Sequence, residues 1–163
     1  MDAVLSQTGK EYRLKEALAD LDSFDFVVMD TPPSLNIITI NALTASDYAV
    51  IPAQADIFSL QGITQLGQTI EAVKRYTNND LKVLGIVLTK HNTRSILSRD
   101  LQKVITDTAM QLHTKVYTQH IREAVAVREA QAMKQDVFSY DPKSNATQDY
   151  DALMNEIWKD INQ

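Results

Sequence analysis

The chain has 163 residues, 44% hydrophobic and 23% charged, with a net charge of −5 and no cysteine. That is one domain's worth of sequence with enough apolar content for a real core. It excludes a disulfide framework and a thiolate metal site, and confines any nucleic-acid binding to a local patch.

Residues 1–10 are polar and read as a loop. The Gly9-Lys10 pair lacks the upstream glycines of a phosphate loop. Leu14, Ala17, Leu18 and Leu21 recur at helical spacing and predict an amphipathic helix over 11–21. Phe26, Val27, Val28 and Met29 then form a short apolar run that predicts a strand buried on both faces. Asp30 closes it, and Pro32 and Pro33 cannot continue a ladder. Asp30 is thus expected at the carboxyl end of a central strand, where open α/β sheets hold their ligands. Taken alone, the same pattern is more often a capped turn.

Further on, the pattern predicts a helix over 36–46, with Ile37, Ile40 and Leu43 or Ala42 inward, and a buried strand over 48–52. A long helix N-capped by Ser59 carries Leu60, Ile63, Leu66, Ile70 and Val73, and Asn78-Asn79-Asp80 ends it. A third buried strand covers 83–88. A helix from Ser95 carries Leu101, Val104, Ile105, Ala109 and Leu112 inward, and a last short strand lies around Val116. A short helix over 124–134, a loop at Asp141-Pro142, and a final helix bearing Tyr150, Leu153, Met154, Ile157, Trp158 and Ile161 complete the chain. Alternating strands and helices predict an α/β fold with a parallel sheet. No repeat or linker interrupts residues 1–163, which read as a single domain. His91, His113 and His120 have no metal-ligand spacing and read as surface or structural. No apolar run nears the ~20 residues needed to span a bilayer, so a cytoplasmic location is expected.

The string Asp25-Phe26-Val27-Val28-Met29-Asp30-Thr31-Pro32-Pro33-Ser34-Leu35 resembles the Walker B and switch II segment of the ParA/Soj-like partitioning ATPases, which are deviant Walker A P-loop ATPases. The resemblance continues through residues 40–47, Ile51-Pro52-Ala53-Gln54, Gly85-Ile86-Val87-Leu88-Thr89 and Tyr140-Asp141-Pro142-Lys143-Ser144. It implies a Rossmann-like, P-loop NTPase-like three-layer fold. The N-terminal phosphate-loop unit is lacking, since no G-x-x-x-x-G-K-[ST] string or Lys-Gly-Gly variant occurs. It implies ATP and Mg²⁺ as cofactors of the complete family. Asp30 is then the catalytic carboxylate holding the metal directly or through water, and Thr31, Pro32 and Pro33 line the γ-phosphate. Lys90 and Asn92 lie where the family holds the base. Arg94, Arg99, Lys103, Arg122 and Arg128 are the candidates for nonspecific DNA contacts, although Glu123 and Ala126 occupy positions where many members carry arginine.

The partners implied are nonspecific DNA, a ParB-like centromere-binding protein and a second copy of the chain, with nucleoid association and no membrane. Without the phosphate loop, the chain alone is expected neither to bind ATP tightly nor to hydrolyse it. Two other readings stand beside this one: a non-enzymatic remnant that binds protein or DNA, and a MinD-like regulator. The acidic final helix, with Asp149, Asp151, Glu156 and Asp160, argues against the latter because membrane-targeting helices present a basic face.

Overall fold

The structure, a computed structural model, describes residues 9–21, 23–91 and 96–162. Two parallel strands pair, β1 (Tyr48–Ala53) and β2 (Lys82–Leu88). Their ladder starts at Lys82 N to Asp47 O (3.0 Å) and extends to Thr89 N and Ala53 O (2.8 Å). Parallel strands need a long connection, and the twenty-residue helix Ile57–Tyr76 provides it. The chain divides into two compact units, Met1–Ala49 with Thr64–Lys82, and Val50–Ile63 with Val83–Gln163.

In the first unit a 3₁₀ turn (Lys10–Tyr12) runs into α1 (Arg13–Leu18), which packs on α2 (Ile37–Ala45). Asn41 ties them. Its side chain accepts from Leu14 N (3.1 Å) and donates to Lys10 O (2.7 Å). The last turns of α3 (Ile57–Tyr76) bury Ile70 and Val73, and Leu81 follows at 1% exposure. Asn78 is more than turn chemistry: its buried amide donates to Leu43 O (3.0 Å) and Ser46 O (2.7 Å). These bonds satisfy two carbonyls at the end of α2 that have no partner within the helix.

The second unit is built along β2. Residues 115–121 run parallel to it through bridges Ile86–Val116 and Thr89–Ile121, which is the form taken by the short last strand predicted near Val116. In this unit α4 (Ile96–Gln111) buries Ile105 and Ala109. After α5 (Val125–Ala132) and α6 (Val137–Tyr140), α7 (Asn145–Ile161) sets Leu153 into a cluster with Val87, Tyr117 and Ile121. Gly85 is required here by close approach. A Cβ at that position would lie 2.5 Å from the Tyr117 ring.

Several expectations are corrected. Residues 26–29 form no strand; they are irregular, and Val28 is 93% exposed. A strand persists only where neighbours complete its ladder and its faces are covered. Among the described residues the sheet comprises β1 and β2 alone, and residues 26–29 lie outside it. The first helix ends at Leu18, leaving Leu21 exposed, and Ile37 is exposed on α2. Val104 of α4 and Met154 and Trp158 of α7 are likewise exposed rather than inward. Ser59 is not the cap of α3. Asp56 accepts Ser59 N at 2.7 Å, while the Ser59 hydroxyl accepts Gln54 N. The predicted start at Ser95 lies outside the described residues.

Candidate functional site

The Asp30 segment lies in the first unit. Asp30, Thr31, Pro32 and Pro33 are exposed and carry no regular structure. The segment is anchored at its far end. Ser34 O accepts the Thr39 hydroxyl (2.6 Å), Ser34 Oγ accepts Asn36 Nδ2 (2.8 Å), and Asn36 Oδ1 caps α2 by accepting Ile38 N (2.9 Å). An Asn cap on an apolar helix gives the loop a defined exit, a local consequence of Ser34-Leu35-Asn36.

The second unit presents the carboxyl end of β2. Thr89 bonds to Ala53 O through both its N–H (2.8 Å) and its hydroxyl (3.3 Å). Lys90 follows, exposed and in the left-handed region with φ 48°. Such a conformation is uncommon outside glycine and marks a sharp change of direction. His91 returns to the interior at 4% exposure, donating its N–H to Ile121 O (3.1 Å). Its ring meets the His120 ring edge-on, with centroids 5.0 Å apart. Neither ring nitrogen finds a hydrogen-bond partner among the described residues. Burial, and next the proximity of His120, hold the His91 pKa below its ordinary 6.5; the Gln102 side chain, close but outside hydrogen-bond geometry, pulls the other way. Asn92 and Arg94 lie outside the described residues.

The candidate basic residues fall into two kinds. Arg99 and Lys103 sit one turn apart on α4, both exposed, and Lys103 is only loosely paired with Asp100 at 3.9 Å. Arg128 stands 3.8 Å from Glu123, both well exposed. Arg122 is engaged differently. Its Nε and Nη2 donate to the two oxygens of Asp149 (2.8 and 2.7 Å), and its own backbone N–H donates to Asp149 as well (3.0 Å). Burial by itself raises the Asp149 pKa, but these Arg122 bonds outweigh it and hold the carboxyl below its ordinary value.

Asp149 belongs to a row on α7. Glu156 accepts Thr118 N (3.2 Å) and Gln119 N (3.0 Å), and Asp160 accepts Lys115 Nζ (2.7 Å) and the Tyr117 hydroxyl (2.8 Å). The acidic face of α7 is therefore a set of staples holding residues 115–122 beside β2. The signal was present in the spacing 149, 156, 160, which puts three carboxylates on one helix face. What they bind lies 27 to 45 residues earlier, beyond any local pattern.

A nucleotide with its metal needs a phosphate cradle and convergent oxygen ligands. Among the described residues no three His, Asp or Glu converge to hold a metal ion, and Asp30 stands in an open segment. These residues do not by themselves fit a Mg²⁺–ATP complex, and no step of phosphoryl transfer is derived from them.

The architecture is that of the P-loop NTPase α/β domains. It resembles cobyrinic acid a,c-diamide synthase from Mycobacterium smegmatis, with TM-score 0.71 and 34% identity over 97% of this chain and 58% of that one. McdA from Cyanothece shares the fold, with TM-score 0.80 at 18% identity over 96% of this chain and 62% of that one. The sequence model of the AAA domain matches residues 1–83. The chromosome partitioning protein ParA of Caulobacter vibrioides is 38% identical over 94% of this chain and 58% of the relative. Soj of Bacillus subtilis, a sporulation initiation inhibitor protein, is 38% identical over 91% and 58%. The chain belongs to the ParA/Soj-like partitioning ATPase family, within the AAA domain family. It spans 58% of the length of both relatives. No helix among the described residues is long and apolar enough to cross a membrane.

Proposed function

We propose that this chain is the switch II and DNA-face portion of a ParA-type ATPase that segregates DNA, within one domain whose phosphate-binding part it does not carry. The observation behind this reading is identity of 38% sustained over 94% of the chain with a chromosome partitioning protein. In the assembled ATPase, Asp30 would hold Mg²⁺ directly or through water, and Thr31, Pro32 and Pro33 would lie at the γ-phosphate. Lys90 and Asn92 flank the base. ATP then promotes a dimer that coats DNA, and a ParB-like partner triggers hydrolysis and release. The site of action is the cytoplasmic nucleoid surface.

Of the basic candidates, Arg99 and Lys103 support DNA contact best, being exposed on one face of α4. Arg128 and Arg94 extend the set. Arg122, bound to Asp149, orders the loop and offers less charge to phosphate. Phosphate contacts of this kind weaken steeply with salt and carry no sequence information.

Fluorescence anisotropy with duplex DNA of unrelated sequences, titrated against salt, tests the DNA face. Equal affinity for all sequences and a salt slope reduced in an Arg99→Ala, Lys103→Ala variant are expected. Sequence preference, or a slope unchanged by both substitutions, refutes it. A fluorescent ATP analogue with Mg²⁺ tests the other half. Tight binding by this chain, lost in Asp30→Ala, contradicts the reading that the chain alone lacks a nucleotide site.

A further inference from the structure

We infer that His91 is a proton-released latch: its neutral ring, packed in the interior against His120, holds the turn at Lys90 and the backbone bond from His91 to Ile121, and a proton on that ring releases both. The inference stands on residues 88–91 and 120–122 and does not depend on the family reading. His91 is 4% exposed, and neither Nδ1 nor Nε2 has a hydrogen-bond partner among the described residues. A neutral imidazole carries one N–H and one lone pair, and here both are stranded. The cation has two N–H donors and a full charge, with no acceptor in place for either. A ring that takes up a proton in this position therefore gains by leaving for water.

The two sides of the latch differ in how firmly they are held. Ile121 N–H donates to Leu88 O (2.8 Å), Arg122 N–H donates to Asp149 (3.0 Å), and the Arg122 side chain clamps the same carboxylate (2.8 and 2.7 Å). The other side is held by His91 N–H to Ile121 O (3.1 Å) and follows Lys90, whose φ is 48°. A lysine in the left-handed region is strained and relaxes once the ring no longer holds the turn. The moving part is thus Lys90-His91, while residues 115–122 stay on β2. Among the described residues the titratable and charged groups about the ring are His120, edge-on at 5.0 Å, the adjoining Lys90 and, beyond His120, the Arg122–Asp149 pair. From α4 comes Gln102, which is uncharged. His120 opposes a positive charge on His91, and the Asp149 carboxylate is already taken up by Arg122.

Burial and His120 keep the pKa of the closed ring below 6.5, and an opened ring regains that ordinary value. The latch is therefore closed above about pH 6.5, and each pH unit below that shifts the closed-to-open ratio by up to about tenfold. Amide exchange of the whole chain from about pH 7 to 5, with and without low urea, reads it. The His91 protection factor is expected to fall by up to about tenfold per pH unit below about 6.5 and to ignore urea, because opening two residues exposes little surface. The Tyr117 and Ile121 amides, bonded to Ile86 O and Leu88 O, are expected to stay more protected and to respond to urea, as groups released by wider unfolding do. His91→Leu, which fills the site without titrating, is expected to remove the pH response of the residue-91 amide. In the unsubstituted chain the Lys90 Cα NMR shift is expected to move from left-handed toward extended values with the midpoint of the His91 ring signals.

A His91 amide that matches Tyr117 in both rate and urea response overturns the latch in favour of global unfolding. So does a protection factor that stays constant over the pH range, or a pH response that survives His91→Leu. A Lys90 shift that stays fixed while the His91 ring titrates overturns it as well.

Discussion

Arg122 and Asp149 meet in a two-pronged ion pair, Nη2 to Oδ1 at 2.7 Å and Nε to Oδ2 at 2.8 Å, across twenty-seven residues of sequence. The carboxylate is 6% exposed and accepts the Arg122 backbone N–H and the Gln119 amide besides. A candidate nucleic-acid contact thus doubles as the clamp between the loop after residue 121 and the first turns of α7.

Asp149→Ala is expected to lower unfolding stability by about 2 kcal/mol, the usual range for hydrogen bonds to a charged group. Urea unfolding measures it. Asp149→Asn, which keeps the shape but not the charge, is expected to fall between wild type and Ala. An unchanged midpoint for Asp149→Ala shows that the clamp adds nothing.

Gly85→Ala is expected to cost about 1–3 kcal/mol, because the added methyl collides with the Tyr117 ring, held between β2 and α7. Tyr117→Leu in the same chain is expected to relieve part of that loss. A thermal-melt comparison of the three variants reads it, and additive losses contradict the collision.

Asn78→Ala removes the donor to Leu43 O and Ser46 O and leaves both without their partner. A loss of about 1–3 kcal/mol follows from stranding buried acceptors. Asp30→Ala makes the contrast. Its side chain is exposed, and a change within about 0.5 kcal/mol is expected in chemical denaturation.

Stability is expected to fall on acidification from neutral pH. His91 is held below its ordinary 6.5 by burial, so the unfolded chain takes up the proton first. The stability tied to neutral His91 is complete above about pH 6.5 and is lost as pH drops through that value toward the folded one. Asp149 and Asp160, held low, add a second loss as pH falls below the ordinary carboxylate value of 3.8. Urea midpoints measured from about pH 7 to 5 are expected to slope for wild type and flatten for His91→Leu. Equal slopes contradict the assignment to His91.

Sequence alone determined β1 and β2, five of the helices within a few residues, and the family, because each rests on short-range information. Apolar period, caps such as Asn36 and turn residues such as Asn78-Asn79-Asp80 act within a handful of positions. Gly85 stood in the matched string, but its reason, the Tyr117 ring, is thirty-two residues away. Tertiary structure decided the rest. It paired Arg122 with Asp149, turned the acidic face of α7 into staples on residues 115–122, and buried His91 beside His120. It also left residues 26–29 outside the sheet, although their composition reads as a central strand. Apolar composition states that a segment gains by burial, whereas a strand exists only where neighbouring backbone and side chains supply the ladder and the cover.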